Sequence, residues 1–124
     1  MEAILARAAF YVETGIFTGI RFSTRPDCME EDTVRRLARY PVRTVELGVQ
    51  SLSDRVLAQS RRGYSARIVH DAAARVQRQG WLLGVQLMAG LPGDNMERFL
   101  NSVSSAIDMG TDFFRFYPTL VLEG

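Results

Sequence analysis

Two tripeptides, Gly48-Val49-Gln50 and Gly84-Val85-Gln86, set a glycine and a carboxamide two positions apart. A glutamine amide both donates and accepts hydrogen bonds, which suits the hydroxyls of a sugar or the polar end of a small ligand. Glu46 stands two positions before the first glycine, and Gly19 and Arg21 echo the same spacing earlier in the chain. Near the other end Arg115 and Tyr117 are again two apart. Several other chemistries lack their residues. His70 is the one histidine and Cys28 the one cysteine, so no Ser/His/Asp set, no His/Cys metal cluster and no internal disulfide can be assembled. Neither a phosphate loop nor Gly-x-Gly-x-x-Gly is present, which argues against a kinase or a dehydrogenase. The sequence names no catalytic residue.

These residues lie on elements that hydrophobic period delimits. A helix over about Glu2–Glu13 puts Ile4, Leu5, Ala8, Ala9 and Val12 on one stripe and stops at Gly15. A strand follows over about Ile16–Ser23, then the turn Ser-Thr-Arg-Pro-Asp-Cys, where Pro26 pushes Arg25 away from helical angles. The next helix, about Glu31–Arg39, turns Val34, Leu37 and Ala38 inward before Pro41. The strand Thr44–Ser53 comes next. Ser51-x-x-Asp54 has the spacing of a helix start, for a short helix running to Ser60. Behind Ser65 a helix with Val69, Ala72, Ala73 and Val76 on one face, and His70 on the other, runs to Gly80. The strand Trp81–Gly90 leads through Gly-Leu-Pro-Gly-Asp into a helix over about Asn95–Met109. Asp94 and Glu97 are spaced for its capping box, and Met96, Phe99, Leu100, Val103, Ala106 and Ile107 form its inner stripe. A last strand begins at Asp112.

Strand alternating with helix four times predicts an α/β fold with a parallel sheet. Side chains alternate along a strand, so Val45, Leu47 and Val49 share one face while Glu46, Gly48 and Gln50 share the other. A strand covered by helices on both sides should be apolar on both. These four strands are not, and the pattern fits a barrel or part-barrel whose inner wall holds polar groups near the strand ends. Glycines 48 and 84 would leave space for a ligand beside the amides. The other reading is a buried network in which Gln50, Gln86 and Glu46 pair with Arg21 and Arg115 to fix strand order.

The chain of 124 residues has room for one domain, and a hydrophobic content of 47% is enough for a core. Every basic residue is an arginine, but net charge is only +1 and the positives are scattered, so no stripe for a nucleic-acid backbone is formed. No apolar run is long enough to span a bilayer, and the first residues have neither the basic start nor the cleavage site of a leader. A cytoplasmic location and no membrane partner are the expectation.

The runs Ile20–Cys28 (IRFSTRPDC), Val45–Tyr64 (VELGVQSLSDRVLAQSRRGY), Gly84–Asp94 (GVQLMAGLPGD) and Arg115–Gly124 (RFYPTLVLEG) resemble, in that order, the radical S-adenosylmethionine enzymes. The likeness is greatest to the branch of the Elongator catalytic subunit and the relatives of oxygen-independent coproporphyrinogen oxidase, and it covers nearly all of the chain from Gly19. The resemblance implies a six-stranded partial (β/α) barrel of which about four strands are present, so that residues 1–124 are a fragment of one radical SAM-type partial TIM barrel without its N-terminal cluster-binding part. In that family three cysteines hold a [4Fe–4S] cluster whose open iron position binds S-adenosylmethionine. Cys28 matches none of them, and the cluster ligands are not in this chain.

Carried over by position, the resemblance implies that Gln50 contacts the ribose or methionine part of the cofactor. It places Arg62 near the methionine carboxylate, with Arg61 able to take that role if the loop is shifted. Gln86 stands in place of an aspartate that holds ribose hydroxyls, Ser23 in place of a glutamate, and Tyr64 where relatives commonly have histidine. Gly90 and Leu91 would lie against the adenine through their backbone. The expected function is cofactor binding for 5′-deoxyadenosyl radical chemistry on a substrate that the sequence does not name, tRNA or a small molecule by family analogy alone. The chain by itself is expected to be inactive. The alternatives are a non-catalytic barrel module that binds a nucleoside or a partner, and an excised piece that self-associates through its exposed sheet edge.

Overall fold

Runs of β-branched and aromatic residues separated by helices of matching apolar stripe produce a regular alternation in the computed structural model, which describes residues 2–121. Helix α1 (Glu2–Glu13) is followed by β1 (Ile20–Thr24), a single 3-10 turn (Pro26–Cys28), α2 (Glu31–Leu37), β2 (Val42–Gln50), α3 (Asp54–Gln59), α4 (Ala66–Arg78), β3 (Leu82–Ala89), α5 (Met96–Asp108) and β4 (Phe113–Pro118). The four strands form one sheet in the order β1-β2-β3-β4, and all three pairs are parallel.

Strand order equal to chain order has a physical consequence. Crossovers between parallel strands are right-handed almost without exception, so without a reversal of order every crossover helix falls on the same side. One face of the sheet is therefore packed and the other is left for the inner wall of a barrel. On the packed face Val45, Leu47 and Val49 of β2 and Leu83, Val85 and Leu87 of β3 are fully buried, in one cluster with Val69, Ala73 and Val76 of α4. Each such side chain contributes about 1.5–3 kcal/mol on leaving water. The fold is the α/β, parallel-stranded partial barrel that the polar faces of the strands predict.

Several local expectations are corrected. β1 begins at Ile20, not Ile16, because among the described residues its one neighbour in the sheet is β2 and pairing starts where Ile20 meets Val42. Ile16 and Phe17 precede it and are exposed. The cap of α5 is Asn95, not Asp94: the tight turn closed by the Asp94 amide on the Leu91 carbonyl ends one residue later than expected, and Asn95 Oδ1 accepts from the Arg98 amide at 2.8 Å. Ser51 does not cap α3, whose N-cap is Ser53. Its hydroxyl instead accepts from the Ser53 amide and meets the buried Ser102 hydroxyl of α5 at 3.3 Å. The stripes of α1 and α5 are only half used. Leu5 and Ala106 are buried, but Ile4, Met96, Leu100 and Ile107 are exposed, and so is Ala38 after α2. α5 packs against β3 and meets β4, the last strand of the sheet, through the Phe99 and Phe116 rings, and no element among the described residues lies beyond β4. Among the described residues no helix is long and apolar enough to cross a membrane.

Candidate functional site

Register places the polar residues in rows across the free face. Glu46 pairs with Ser23 on one side and Gly84 on the other, and Gly84 pairs with Phe113. The next row joins Gly48, Gln86 and Arg115. At the carboxyl end of β2 the pairing breaks between Gly48 and Gln50, and Gln50 adopts a left-handed backbone with φ of 68°. That turn folds its carboxamide back over Gly48, where an added Cβ would stand 3.0 Å from Gln50 Nε2. Gln86 Nε2 then donates to Gln50 Oε1 at 3.4 Å. The two amides of the repeated tripeptides thus meet, with Gln50 buried and Gln86 half-buried. Among the described residues neither the Gln50 amide nitrogen nor the Gln86 amide oxygen has a further protein partner, so each retains hydrogen-bonding capacity.

The glycines do not hold open a ligand space, as the sequence suggested. Gly48 makes room for the Gln50 amide, and the ring of Phe113 occupies the position a Cβ of Gly84 would take. Of the buried network that was the other reading, only the charged part forms. Arg21 Nη2 and Arg115 Nε lie 2.7 and 3.3 Å from the same oxygen of Glu46, which is 1% exposed. Neither glutamine takes part in that network. Arg21 lies over the Phe113 ring at 4.9 Å, and Arg115 donates to the Tyr117 hydroxyl. That hydrogen bond, with the charge of Glu46, holds the Arg115 guanidinium above its ordinary pKa.

The loop after α3 is tied to the same strand end by a residue whose role the sequence reading did not assign. The buried Tyr64 hydroxyl shares its proton between the Gly48 and Val49 carbonyls, at 2.8 and 3.1 Å, and accepts a long bond from Arg62 Nε at 3.4 Å. Its motif offered one hint, an aromatic ring with a polar handle in a loop. That the hydroxyl reaches back to β2 is visible only in the fold. Arg25 Nη2 donates to the Arg62 carbonyl at 2.8 Å while its guanidinium grips Asp27 through two bonds and lies over the Tyr64 ring. Arg62 is half-buried and Arg61 exposed. Ser23 is exposed at the end of β1; Gly90, at φ of 80°, opens the turn after β3, with Leu91 half-buried beside it. His70 and Cys28 are exposed, as a solvated histidine and a loop thiol should be. A groove of about 350 Å³ between α1, the 3-10 turn and α2 includes Cys28, Leu5, Leu37 and Tyr40 and none of the sequence-predicted site residues.

The family model for the radical SAM superfamily matches residues 2–106. The chain belongs to the radical SAM superfamily. Its similarity extends to the branch expected: it is 32% identical over 109 residues to Elongator complex protein 3 of Saccharomyces cerevisiae, covering 86% of this chain and 20% of that protein. It is 31% identical over 104 residues to tRNA uridine(34) acetyltransferase of Methanocaldococcus infernus, covering 82% of this chain and 20% of the relative. The chain spans about a fifth of the length of these relatives. Among solved structures, the archaeal Elp3 of Methanocaldococcus infernus superposes with a TM-score of 0.79 at 29% identity over 86% of this chain and 26% of that one. The radical SAM coproporphyrinogen III oxidase HemN of Escherichia coli gives 0.76 at 18% identity over 84% and 24%, a likeness of fold.

Radical SAM proteins as a family use S-adenosylmethionine with a [4Fe–4S] cluster, and the two groups fare differently on these residues. With one cysteine, and among the described residues no group of three His, Cys, Asp or Glu that could hold a metal, this chain does not fit the cluster. The joined amides each keep an unused donor or acceptor, the groups that a sugar hydroxyl takes.

Proposed function

We propose that this radical SAM domain is the later part of the barrel of a radical S-adenosylmethionine enzyme, and that it holds the nucleoside side of the cofactor. The observation that carries this reading is the meeting of Gln50 and Gln86 on the face that the helices leave free, in a chain that belongs to the family. Their amides would take the ribose hydroxyls, exchanging a long mutual bond for shorter ones. Arg62 would offer its planar fork to the methionine carboxylate. Gly90 and Leu91 would line the adenine through backbone groups, and Ser23 would contribute a hydroxyl at the neighbouring strand end. When bound at a reduced cluster, the cofactor supplies a 5′-deoxyadenosyl radical for hydrogen abstraction; the protein's share is to bind, orient and shield it.

In this reading the cluster ligands come from elsewhere in the parent enzyme, which works in the cytoplasm on tRNA or a small molecule. The exposed Ile16 and Phe17 beside β1, and Phe116, Leu120 and Val121 at the β4 end, are then surfaces that further strands cover or that drive self-association of the chain alone. A barrel module without chemistry would keep the same amides, but membership of the superfamily favours the enzyme.

Titration of the 124-residue chain with S-adenosylhomocysteine, followed through side-chain amide NMR signals, tests the assignment. Saturable shifts at Gln50 and Gln86 are expected, and the Gln86 shift should be lost in Gln50→Ala. Binding that leaves both signals unmoved would refute it. Incubation of the same chain with iron and sulfide is expected to give no [4Fe–4S] absorbance.

A further inference from the structure

One carboxylate needs one guanidinium. Glu46 has two, and both reach the same oxygen: Arg21 from β1 and Arg115 from β4, which stands two strands away. The trio carries two positive charges and one negative, leaving one positive charge uncompensated. Glu46 is 1% exposed while the arginine side chains are 48% and 47% exposed, so the carboxylate is the buried anchor and the guanidinium edges face outward. Their orientation is fixed before any ligand arrives. Arg21 lies over the Phe113 ring, and Arg115 is held by Glu46 on one side and the Tyr117 hydroxyl on the other. Each guanidinium has five N–H donors, and these contacts use one or two.

We propose that Arg21 and Arg115 form an oxyanion-binding site for a carboxylate or phosphate group of the substrate. That the oxyanion belongs to a substrate rests on the proposed cofactor site, since Arg115 is in register with Gln86, one strand spacing from the paired amides. An oxyanion on this fork would hold the rest of its molecule beside the nucleoside site, and the forked geometry matches two oxygens on one centre. Arg62 is engaged elsewhere, with the Tyr64 hydroxyl that is bonded to the Gly48 carbonyl near the carboxyl end of β2.

The test is a titration of the chain with inorganic phosphate and, in a parallel arm, acetate, at constant ionic strength set with chloride, reading the arginine Nε–Hε NMR signals. Saturable shifts of Arg21 and Arg115 in either arm support the site, and the tighter arm names the oxyanion. Arg115→Met should weaken that binding at least tenfold and leave the S-adenosylhomocysteine shifts at Gln50 and Gln86 in place. Arg115→Lys, which keeps charge and loses the fork, should fall between. Glu46→Gln should tighten binding several-fold by raising the site charge; a melting curve shows whether it folds, and where it does not, the two Arg115 variants decide. Shifts that fail to saturate at tens of millimolar, or that persist unchanged in Arg115→Met, overturn the proposal. Equal loss of S-adenosylhomocysteine in Arg115→Met overturns it too, since the fork would then serve the cofactor's own carboxylate. Phosphate binding without any S-adenosylhomocysteine binding would leave the oxyanion site standing and remove the cofactor reading instead.

Discussion

Gln86 Nε2 donates to Gln50 Oε1 across 3.4 Å, linking the carboxyl end of β2 to the adjacent parallel strand β3 through their side chains. A bond of that length is weak beside the usual 2.9–3.0 Å, and it holds the amides in place without saturating them. To make it, Gln50 accepts a left-handed backbone that costs a non-glycine residue roughly 1–2 kcal/mol.

Position 50 should therefore separate backbone strain from side-chain function. Gln50→Gly is expected to be more stable than Gln50→Ala by about 1 kcal/mol, because only glycine enters the left-handed region freely. Both variants should lose S-adenosylhomocysteine binding alike. Urea denaturation of the pair, with calorimetric titration, checks both halves; equal stabilities would show that the left-handed turn is not held in solution.

Gly84 leaves the Phe113 ring the place a methyl would take. Gly84→Ala should destabilise the chain by about 1–3 kcal/mol through overpacking. In Phe113→Ala the same substitution should be nearly neutral, giving a coupling energy above about 1 kcal/mol in a double-mutant cycle. Additive effects would mean that the ring is not over Gly84.

Tyr64→Phe deletes the hydroxyl bonded to the Gly48 and Val49 carbonyls. The expected loss is about 1–2 kcal/mol, since buried carbonyl groups give up a partner. Amide exchange should quicken at Gln50 and in the 61–64 loop while the centre of β3 stays protected. Uniform loss of protection would instead mean that Tyr64 supports the whole sheet.

Asp27 gives the pH dependence. The Arg25 guanidinium, by hydrogen bond and by charge, holds the Asp27 carboxyl below the usual carboxylate range. With the folded value depressed, the pair contributes stability above the unfolded pKa of about 3.9, and that contribution disappears as pH falls through the lower folded value. Arg25 also bonds the Arg62 carbonyl, so acid should loosen the 61–64 loop first. Asp27→Asn should show that looseness already at neutral pH and no further change on acidification. Side-chain exposures of 50% for Arg25 and 32% for Asp27 keep the effect small. NMR pH titration of the Gly63 and Tyr64 amides reads it.

Periodicity determined much of this protein. Val69, Ala72, Ala73 and Val76 are buried as their helical spacing requires, and the alternation of Val45, Leu47 and Val49 with Glu46, Gly48 and Gln50 separates the packed face of the sheet from the free one. Those patterns are local, set by 3.6-residue and two-residue repeats, so they survive without knowledge of neighbours. The family resemblance was legible for a related reason, since its motifs sit at strand ends in chain order. Contacts between distant segments were not legible. Asn95 rather than Asp94 caps α5 because of where the preceding turn closes; Ile4, Met96 and Leu100 remain exposed because the sheet ends beside them. Phe113 fills the space above Gly84, and Tyr64 ties a loop to β2. Each is decided by which side chains meet across the sheet, and one-dimensional spacing carries no term for that. Sequence established which face would be polar; only the tertiary structure decided that its charges gather on Glu46 while its amides find each other.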